Sequence, residues 1–143
     1  MRISEILSSK RLDVVSIPPT STIRSAITLM KREHVGAVLV LDADRRLLGV
    51  LSERDIVHAL ANHGSGLLSL TVAEVMTQPV ITCDPTSSVD ELMAEMTNRR
   101  IRHFPVVRNG RLCGIVSIGD VVKSRLDEIE YEAKSLRSFI AGA

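Results

Sequence analysis

Two stretches of the chain place apolar residues at helical spacing. Each stretch has apolar residues at positions i, i+3, i+4 and i+7, which form one face of a helix with 3.6 residues per turn. These positions are Ile23, Ala26, Ile27 and Met30 in the first stretch and Val89, Leu92, Met93 and Met96 in the second. Ser88 and Glu91 have the spacing of a capping box at the start of the second. The pattern predicts two amphipathic helices.

Short apolar runs flank both predicted helices. Val14–Ile17 and Val80–Cys83 precede them and predict one strand each. Two further runs follow each helix, and Asn109-Gly110 between the last two is a strong hairpin signal. These later runs are Val35–Leu41, Leu47–Leu51, His103–Val107 and Leu112–Val116. A second helix is predicted to begin at Ser52 in the first half and at Ser117 in the second, so the order is β-α-β-β-α twice.

The two halves are copies of one unit. Pro19-Thr20 aligns with Pro85-Thr86 at an offset of 66 residues, and Gly49 aligns with Gly114 at 65. One such unit has too small a sheet to bury both of its faces. We therefore expect an α/β fold in which two units pack about a pseudo-twofold axis and leave two related clefts, where ligands tend to bind. The predicted divisions are residues 1–66 with the linker Asn62–Gly66, residues 67–126, and a C-terminal helical extension, 127–143.

Composition narrows the classes of partner. The chain has 143 residues, a formal net charge of +1 and only 2% aromatic residues, so nucleic acid is not an expected partner. No apolar stretch reaches the ~18 residues that cross a bilayer, and the N-terminus lacks a signal-peptide apolar region. We therefore expect no membrane partner and a cytoplasmic location. Cys83 and Cys113 form no Cys-x-x-Cys motif, which indicates reduced thiols.

No recognisable catalytic motif occurs. The sequence contains no nucleophile elbow, P-loop or His-Glu-x-x-His segment. His58 and His63 are five residues apart around a predicted helix end, which does not place them on one helix face. His34 and His103 have no cysteine or acidic residue at ligand spacing. We therefore expect no enzyme activity, no catalytic cofactor and no metal site.

Ser52 with Asp55, and Ser117 with Asp120, repeat one pattern at the start of the second helix. A serine N-cap accepts a backbone N–H from the first turn, and an acid three residues later can bond back to the cap. Spacing alone therefore favours capping. The same arrangement presents a helix N-terminus that attracts anions, so a capping role and a ligand-binding role are compatible.

With these residues laid out, the chain resembles a tandem cystathionine β-synthase (CBS) pair, or Bateman module, of the stand-alone bacterial kind. The resemblance rests on the doubled pattern Gly-h-h-Ser-x-x-Asp, where h is apolar, and on His103–Val107. It implies a regulatory, signal-transduction module without catalysis. Members bind AMP, ATP, NAD(H) or S-adenosylmethionine in the clefts between repeats and commonly form dimers.

The resemblance also implies roles for particular residues. Asp55 and Asp120 would hold ribose, and Ser52 and Ser117 would contact phosphate. A phosphate-contacting His-Arg pair of one branch of the family corresponds to Arg102 and His103, in swapped order. In the first copy Gly36 and Ala37 stand there instead, and Arg54 could compensate. The other residues that the resemblance assigns to nucleotide contact are Thr82, Cys83, Phe104, Pro105 and Gly119.

The tail carries a further apolar stripe. Its spacings of 4, 3, 4, 3 and 4 residues are those of a and d positions in a heptad repeat, over fewer than three heptads. The stripe consists of Val122, Leu126, Ile129, Ala133, Leu136 and Ile140. It either packs on its own domain or docks in a homodimer. Two other readings of function stay open: an interaction scaffold with vestigial clefts, and a detached regulatory subunit of an enzyme such as IMP dehydrogenase, with a protein target that the sequence does not identify.

Overall fold

The helices follow the predicted apolar spacing. The structure is a computed structural model that describes residues 1–8 and 14–142. Within those residues the α-helices are α1 (Ile3–Ser8), α2 (Ile23–Glu33), α3 (Glu53–His63), α4 (Val72–Val75), α5 (Val89–Arg99) and α6 (Ile118–Gly142). The two predicted amphipathic helices, α2 and α5, bury the apolar side of the helix. The predicted mixed α/β class with a C-terminal helix is confirmed.

The strands form two small sheets. They are β1 (Ser16–Ile17), β2 (Ala37–Leu41), β3 (Leu47–Ser52), β4 (His103–Arg108) and β5 (Arg111–Ser117). β1 pairs in parallel with β2, and β2 pairs antiparallel with β3. β4 and β5 form the predicted hairpin, in which Asn109 and Gly110 both have positive φ, at 54° and 79°. A two-residue turn with two positive φ angles matches the strand twist, which is why Asn-Gly suits it.

Spatially, the chain divides into two compact units that do not coincide with the sequence halves. The first-copy unit contains residues 14–82 and the hairpin tip, 107–113. The second-copy unit contains residues 1–8, 83–106 and 114–142 of the described chain. In the first-copy unit, β2 and β3 pack on α2 through a core that includes Ile23, Met30, Val40 and Leu51. The predicted divisions at residues 66 and 126 remain predictions about the sequence repeat.

The short leading helices are exchanged between the copies. α1 precedes the first copy but lies in the second-copy unit, where the N–H of Ile3 donates to the carbonyl of Ser87 at 3.0 Å. α4 precedes the second copy but lies in the first-copy unit, where the N–H of Val72 donates to the carbonyl of Ser21 at 2.8 Å. Ile3 and Val72 are both fully buried. Each leading helix therefore completes the unit of the other copy.

The first strand of the second copy is shorter than predicted. In place of a strand over Val80–Cys83, an isolated bridge remains at Cys83. In the first copy, the N–H of Leu39 donates to the carbonyl of Val15 at 3.1 Å. Pro105 occupies the position of Leu39 in the second copy and has no N–H. The matching hydrogen bond therefore cannot form, and the ladder is lost.

The segment of the predicted linker, Asn62–Gly66, is helical in the structure. α3 continues to His63, and a 3-10 helix (Gly64–Ser69) follows directly. Leu67, within that 3-10 helix, is only 2% exposed and belongs to the core of the first-copy unit. The segment is therefore an ordered part of that unit, because burial of Leu67 outweighs the loop-forming tendency of Gly64 and Gly66.

Candidate functional site

The first-copy unit contains one Ser–Asp box at the start of α3. The hydroxyl of Ser52 accepts the backbone N–H of Asp55 at 3.2 Å. In return, Oδ2 of Asp55 accepts the backbone N–H and the hydroxyl of Ser52, both at 2.9 Å. The other carboxylate oxygen, Oδ1, accepts the hydroxyl of Thr77 at 2.7 Å. Both oxygens of Asp55 therefore have a protein donor.

The second-copy unit repeats the box at the start of α6. Oδ2 of Asp120 accepts the N–H of Ser117 at 2.8 Å, and the hydroxyl of Ser117 accepts the N–H of Asp120 at 3.1 Å. Both serines and both aspartates are half-buried. The predicted capping role is confirmed in the two copies. At the start of α5, by contrast, the Ser88 half of the predicted capping box forms, with the hydroxyl accepting the N–H of Glu91.

Each box lies beside the residue that directly precedes the β-hairpin leading to its helix, β2–β3 in the first copy and β4–β5 in the second. The carbonyl of Gly36 accepts the N–H of Glu53 at 3.0 Å, and the carbonyl of Arg102 accepts the N–H of Ile118 at 2.8 Å. These bonds fix the start of the hairpin against the first turn of the helix. The structure thereby brings together Gly36, Ala37, Ser52 and Asp55 in one unit, and Arg102, His103, Ser117 and Asp120 in the other.

The residues at the start of the two hairpins, here called the hairpin entries, differ in charge: they are Gly36 and Ala37 in the first copy and Arg102 and His103 in the second. Arg102 and His103, two basic residue types, are exposed at the start of the hairpin whose backbone bonds to the first turn of α6. In the first copy the residue facing Gly36 is acidic, because a Cβ at Gly36 would lie 3.6 Å from the Glu53 carboxyl carbon. A guanidinium can hold phosphate in a bidentate manner, and a carboxylate repels it. Basic side chains therefore stand at the start of the hairpin in the second copy only, whereas Lys31 and His34 line the pocket of the first copy and Glu5 and Asp127 line the pocket at Asp120.

Thr77 is a site residue that sequence reasoning missed. Its backbone pairs with Val50 of β3 through two hydrogen bonds of 3.0 and 2.8 Å. Gly49 makes this approach feasible, since a Cβ at that position would lie 2.9 Å from the Thr77 carbonyl oxygen and 2.7 Å from the Met76 sulfur. The glycine that opens the doubled motif was therefore the available signal that another backbone comes close.

The remaining residues that the resemblance assigned lie in varied surroundings. Phe104 is 1% exposed and Pro105 is also buried, so neither side chain is open to solvent. Arg54 and Gly119 are exposed in the first turns of α3 and α6. Thr82, also exposed, falls in the first-copy unit.

Cys83 falls in the second-copy unit and is half-buried. Its thiol donates to the Pro105 carbonyl at 3.7 Å. Burial, followed by the charge of Asp84, raises the pKa of the Cys83 thiol to about 11. The thiol is therefore neutral near pH 7 and suits the lining of a pocket better than a reactive site. Cys83 and Cys113 are free cysteines.

Three pockets touch the predicted residues. Gly36 and Glu53 line the largest, of about 850 Å³, with Lys31 and His34 at its edge. Thr82 lines one of about 450 Å³ together with the hairpin-tip residue Gly110. In the second-copy unit, Asp120 borders a pocket of about 270 Å³. The described residues include no group of three or more His, Cys, Asp or Glu side chains able to hold a metal ion.

These features define a class: a doubled α/β module whose polar boxes sit at two helix N-termini. The CBS domain family profile matches residues 3–62 and 72–127. The chain belongs to the CBS domain family, as the sequence motifs predicted. Proteins built on a CBS pair are generally regulatory modules and not catalysts. Among the described residues, no helix is long and apolar enough to cross a membrane.

Similar proteins come from several lineages. The mitochondrial CBS domain-containing protein CBSX3 of Arabidopsis thaliana is 34% identical over 85% of this chain, which spans 61% of that protein. A CBS-domain containing protein from Agrobacterium tumefaciens has a crystal structure that is 44% identical, with a TM-score of 0.73 over 87% of this chain and 92% of that one. A CBS domain protein from Pyrobaculum aerophilum, complexed with AMP, is 36% identical, with a TM-score of 0.68 over 84% and 89% of the two chains.

Proposed function

We propose that this chain is a regulatory module that binds an adenine nucleotide at each Ser–Asp box and catalyses no reaction. The observation that carries the proposal is the duplication of the box, at the N-terminus of α3 and again at that of α6. In each, a serine hydroxyl and backbone N–H groups of the first turn are suited to phosphate, and an aspartate carboxylate is suited to two ribose hydroxyls.

AMP is the nucleotide we favour. The relative from Pyrobaculum aerophilum is complexed with AMP at 36% identity, and Arg102 and His103 suit a single phosphate group. ATP and NAD(H) are the alternatives within the same ligand class. Binding would regulate a partner protein only if the two conformational states of the module differ in nucleotide affinity.

Thermal unfolding with a nucleotide panel tests the proposal. The panel consists of AMP, ADP, ATP, NAD, NADH and S-adenosylmethionine. A ligand at about one hundred times its Kd stabilises the native state by roughly 2.7 kcal/mol per site. In a chain of this size that free energy raises the midpoint by roughly 8 °C. If no member of the panel moves the midpoint at millimolar concentration, the chain is a scaffold with vestigial sites or a subunit of a separate enzyme, and the proposal is wrong.

Conservative substitution separates binding from capping. Asp120→Glu should keep the midpoint of the free protein, because Glu is the usual third residue of a capping box. The chain already contains such a box in α4, where Glu74 accepts the N–H of Thr71 at 2.8 Å. The longer side chain displaces the carboxylate, so most of the AMP-induced shift from that site should disappear. Asp55→Glu should act likewise on the first box.

The outcome that contradicts the ribose role is specific. If Asp55→Glu and Asp120→Glu both melt at lower temperature in the free state and still show the full nucleotide shift, the two aspartates are helix caps only. Asp44→Glu is the matched control, since Asp44 is an exposed acid in the turn between β2 and β3 that belongs to neither box and lines none of the three pockets described above. It should change neither measurement.

We further propose that the chain acts as a homodimer through α6. Leu126 and Ile129 are each 61% exposed on this helix, and Ile140 is 66% exposed. Such a continuous apolar stripe is costly in water and typical of an interface. Truncation after Asp127 should leave a monomer at low micromolar concentration by light scattering. An unchanged mass would show that α6 is not the dimer element.

A further inference from the structure

The C-terminal stripe is anchored at one end and exposed along the rest. Val121 is fully buried, and Arg125 pairs with Asp90 and Glu128, so the start of α6 is fixed to its unit. Beyond Arg125 the a and d positions face solvent: Leu126, Ile129, Leu136 and Ile140 are 61–66% exposed. The six stripe residues span 18 helical steps, or about 27 Å. Because α6 is already formed, the exposed apolar stripe is available along its length for packing against a second copy of the chain.

The charged residues beside the stripe show how a second copy would lie. With Leu126, Ala133 and Ile140 as a positions, the e positions are Lys123, Glu130 and Arg137. The g positions are Arg125, Glu132 and Phe139. Charge therefore alternates from basic to acidic and back to basic along the e positions, and from basic to acidic along the g positions, which end at Phe139. In coiled coils the e and g residues set the orientation of the partner.

A parallel, in-register pair satisfies these charges. In that arrangement a g residue faces the e residue five positions later in the other helix. Glu132 then faces Arg137 of the second copy, and Arg125 faces Glu130 of the second copy. Each contact occurs twice by symmetry. All are attractive, although Arg125 also has Asp90 and Glu128 as partners within its own chain.

An antiparallel pair of helices does not bring opposite charges together at the e and g positions. An antiparallel register also aligns all six stripe layers, because the stripe is symmetric about its centre. Antiparallel helices, however, bring e residues to e residues and g residues to g residues. Lys123 would face Arg137, and Glu130 and Glu132 would each face themselves. Apolar packing allows both orientations, and the charges favour the parallel one.

We propose that α6 pairs with α6 of a second copy in parallel and in register, through the a and d positions Leu126–Ile140. This inference rests on the homodimer proposed above and gives that dimer an orientation. It is independent of nucleotide binding. Both copies then hold their Ser117–Asp120 boxes at the same end of the paired helices, because each box begins the helix that pairs.

Charge reversal at Glu132 and Arg137 tests the orientation. In the parallel pair, Glu132→Lys and Arg137→Glu each replace two attractive contacts by two repulsive ones, so the dimer Kd should rise roughly tenfold. The double variant Glu132→Lys/Arg137→Glu should restore it. In the antiparallel pair, Glu132→Lys leaves like charges facing each other, and Arg137→Glu creates attraction to Lys123 and tightens the dimer. The direction of the Arg137→Glu effect therefore decides between them.

Within the helix, Glu132→Lys removes no hydrogen bond among those described for this residue, whereas Arg137→Glu removes the 3.4 Å contact from Arg137 Nε to the Ala133 carbonyl and gains an ion pair in exchange. Glu128 and Glu132 are like charges at i and i+4, and Lys134 and Arg137 are like charges at i and i+3. Each reversal turns an unfavourable pair within the helix into a favourable one. Lys134→Glu is the matched control, since position 134 lies outside the e and g flanks. It should leave the Kd, measured by sedimentation velocity, within twofold.

A disulfide at the end of the stripe gives a second, independent measurement. In the parallel pair, Ile140→Cys brings the two introduced thiols close enough to cross-link. In the antiparallel pair the two positions lie about 27 Å apart and cannot cross-link. Ser135→Cys, outside the seam, is the control for cross-linking through Cys83 or Cys113.

Four outcomes would overturn the proposal. A dimer that tightens with Arg137→Glu, or that fails to cross-link through Ile140→Cys, is not parallel. A dimer that survives truncation after Asp127 does not use this seam. A chain that stays monomeric to about 100 μM overturns the homodimer as well, while the nucleotide proposal stands or falls on the thermal shifts alone.

Discussion

The two Ser–Asp boxes have the same internal geometry but different surroundings. In the first copy, the box is linked by Thr77 to a segment that pairs with β3, and its hairpin entry is Gly36. In the second copy, Arg102 and His103 form the entry, and Pro105 has removed the supporting strand. The first copy is better supported by its sheet, whereas the second copy has basic residues, Arg102 and His103, at the start of its hairpin.

The Ser–Asp motif could both cap a helix and bind phosphate, and comparing the two copies separates these two properties. Local capping needs four consecutive residues and is satisfied in both copies. Affinity for phosphate depends on charges brought from the neighbouring strand, and these differ. We therefore expect unequal sites, with AMP bound more tightly at Ser117 and Asp120 than at Ser52 and Asp55.

The largest expected effect concerns the charged entry. Replacing Arg102 and His103 by alanine should weaken AMP binding at the second box by tenfold or more, because a charged hydrogen bond to phosphate contributes roughly 1.5–3 kcal/mol. Calorimetry should show one weakened site and one unchanged. Arg108→Ala, at the exposed far end of β4, is the control. Two equal sites in the unmodified protein would contradict the comparison.

The next effect concerns the support of the first box. Gly49→Ala places a Cβ within 2.9 Å of the Thr77 carbonyl, and overpacking of this kind costs about 2 kcal/mol. The thermal midpoint should fall by roughly 6–8 °C. Gly36→Ala, where the nearest atom is a flexible carboxylate at 3.6 Å, should change it by little. An equal loss in both variants would show that close backbone approach at Gly49 is not the cause.

A smaller effect isolates the Thr77–Asp55 bond. Thr77→Val removes the donor to Oδ1 of Asp55 and should lower the free energy of unfolding by about 1 kcal/mol. The AMP-induced shift from the first site should become larger, because ribose no longer competes with the threonine hydroxyl. Thr77→Ser keeps the hydroxyl and should restore both values. If the shift from the first site disappears in Thr77→Val, then Thr77 assists nucleotide binding and does not compete with it.

The smallest effect appears only in alkali and comes from Cys83. The residue equivalent to Cys83 in the first copy is Ile17, whose side chain has no titratable group. The pKa of the Cys83 thiol is raised to about 11, so the native state keeps its proton at a pH where the unfolded thiol, near 8.5, has lost it. The unfolding free energy should therefore be unaffected below about pH 8 and fall between about pH 9 and 11.

The size of that loss is limited by partial exposure of the thiol, to about 1 kcal/mol at pH 10. Urea unfolding under reducing conditions, compared with Cys83→Ala, measures it. The alanine variant should lack this part of the pH dependence. A parallel decline in both proteins above pH 9 would assign the alkaline loss to other groups.

The parts of the structure that depend on neighbours in sequence were predictable. Both amphipathic helices, the Asn109-Gly110 turn and the two Ser–Asp boxes follow from residues within a few positions of each other. These features require no knowledge of distant segments, because helix periodicity, turn geometry and capping are local.

The features that the sequence did not reveal all depend on distant segments. Thr77 and Asp55 are 22 residues apart, and no sequence pattern at either position predicts their hydrogen bond. The loss of a strand before Cys83 follows from Pro105, which matters only once the two segments are paired. Likewise, the 3-10 helix Gly64–Ser69 begins with the linker-like residues Gly64-Ser65-Gly66, and the burial of Leu67 is evident only when the core is known.

The exchange of leading helices has a consequence for synthesis. Ile3 is made before its hydrogen-bond partner, Ser87, which follows 84 positions later. At roughly 5–20 residues per second, the ribosome needs about 4–17 s to cover that interval. During this time the apolar face of α1 has no native partner. The second-copy unit cannot close until the β4–β5 hairpin has been made, whereas the core residues of the first-copy unit have all been made by Met76, so the second-copy unit should fold later.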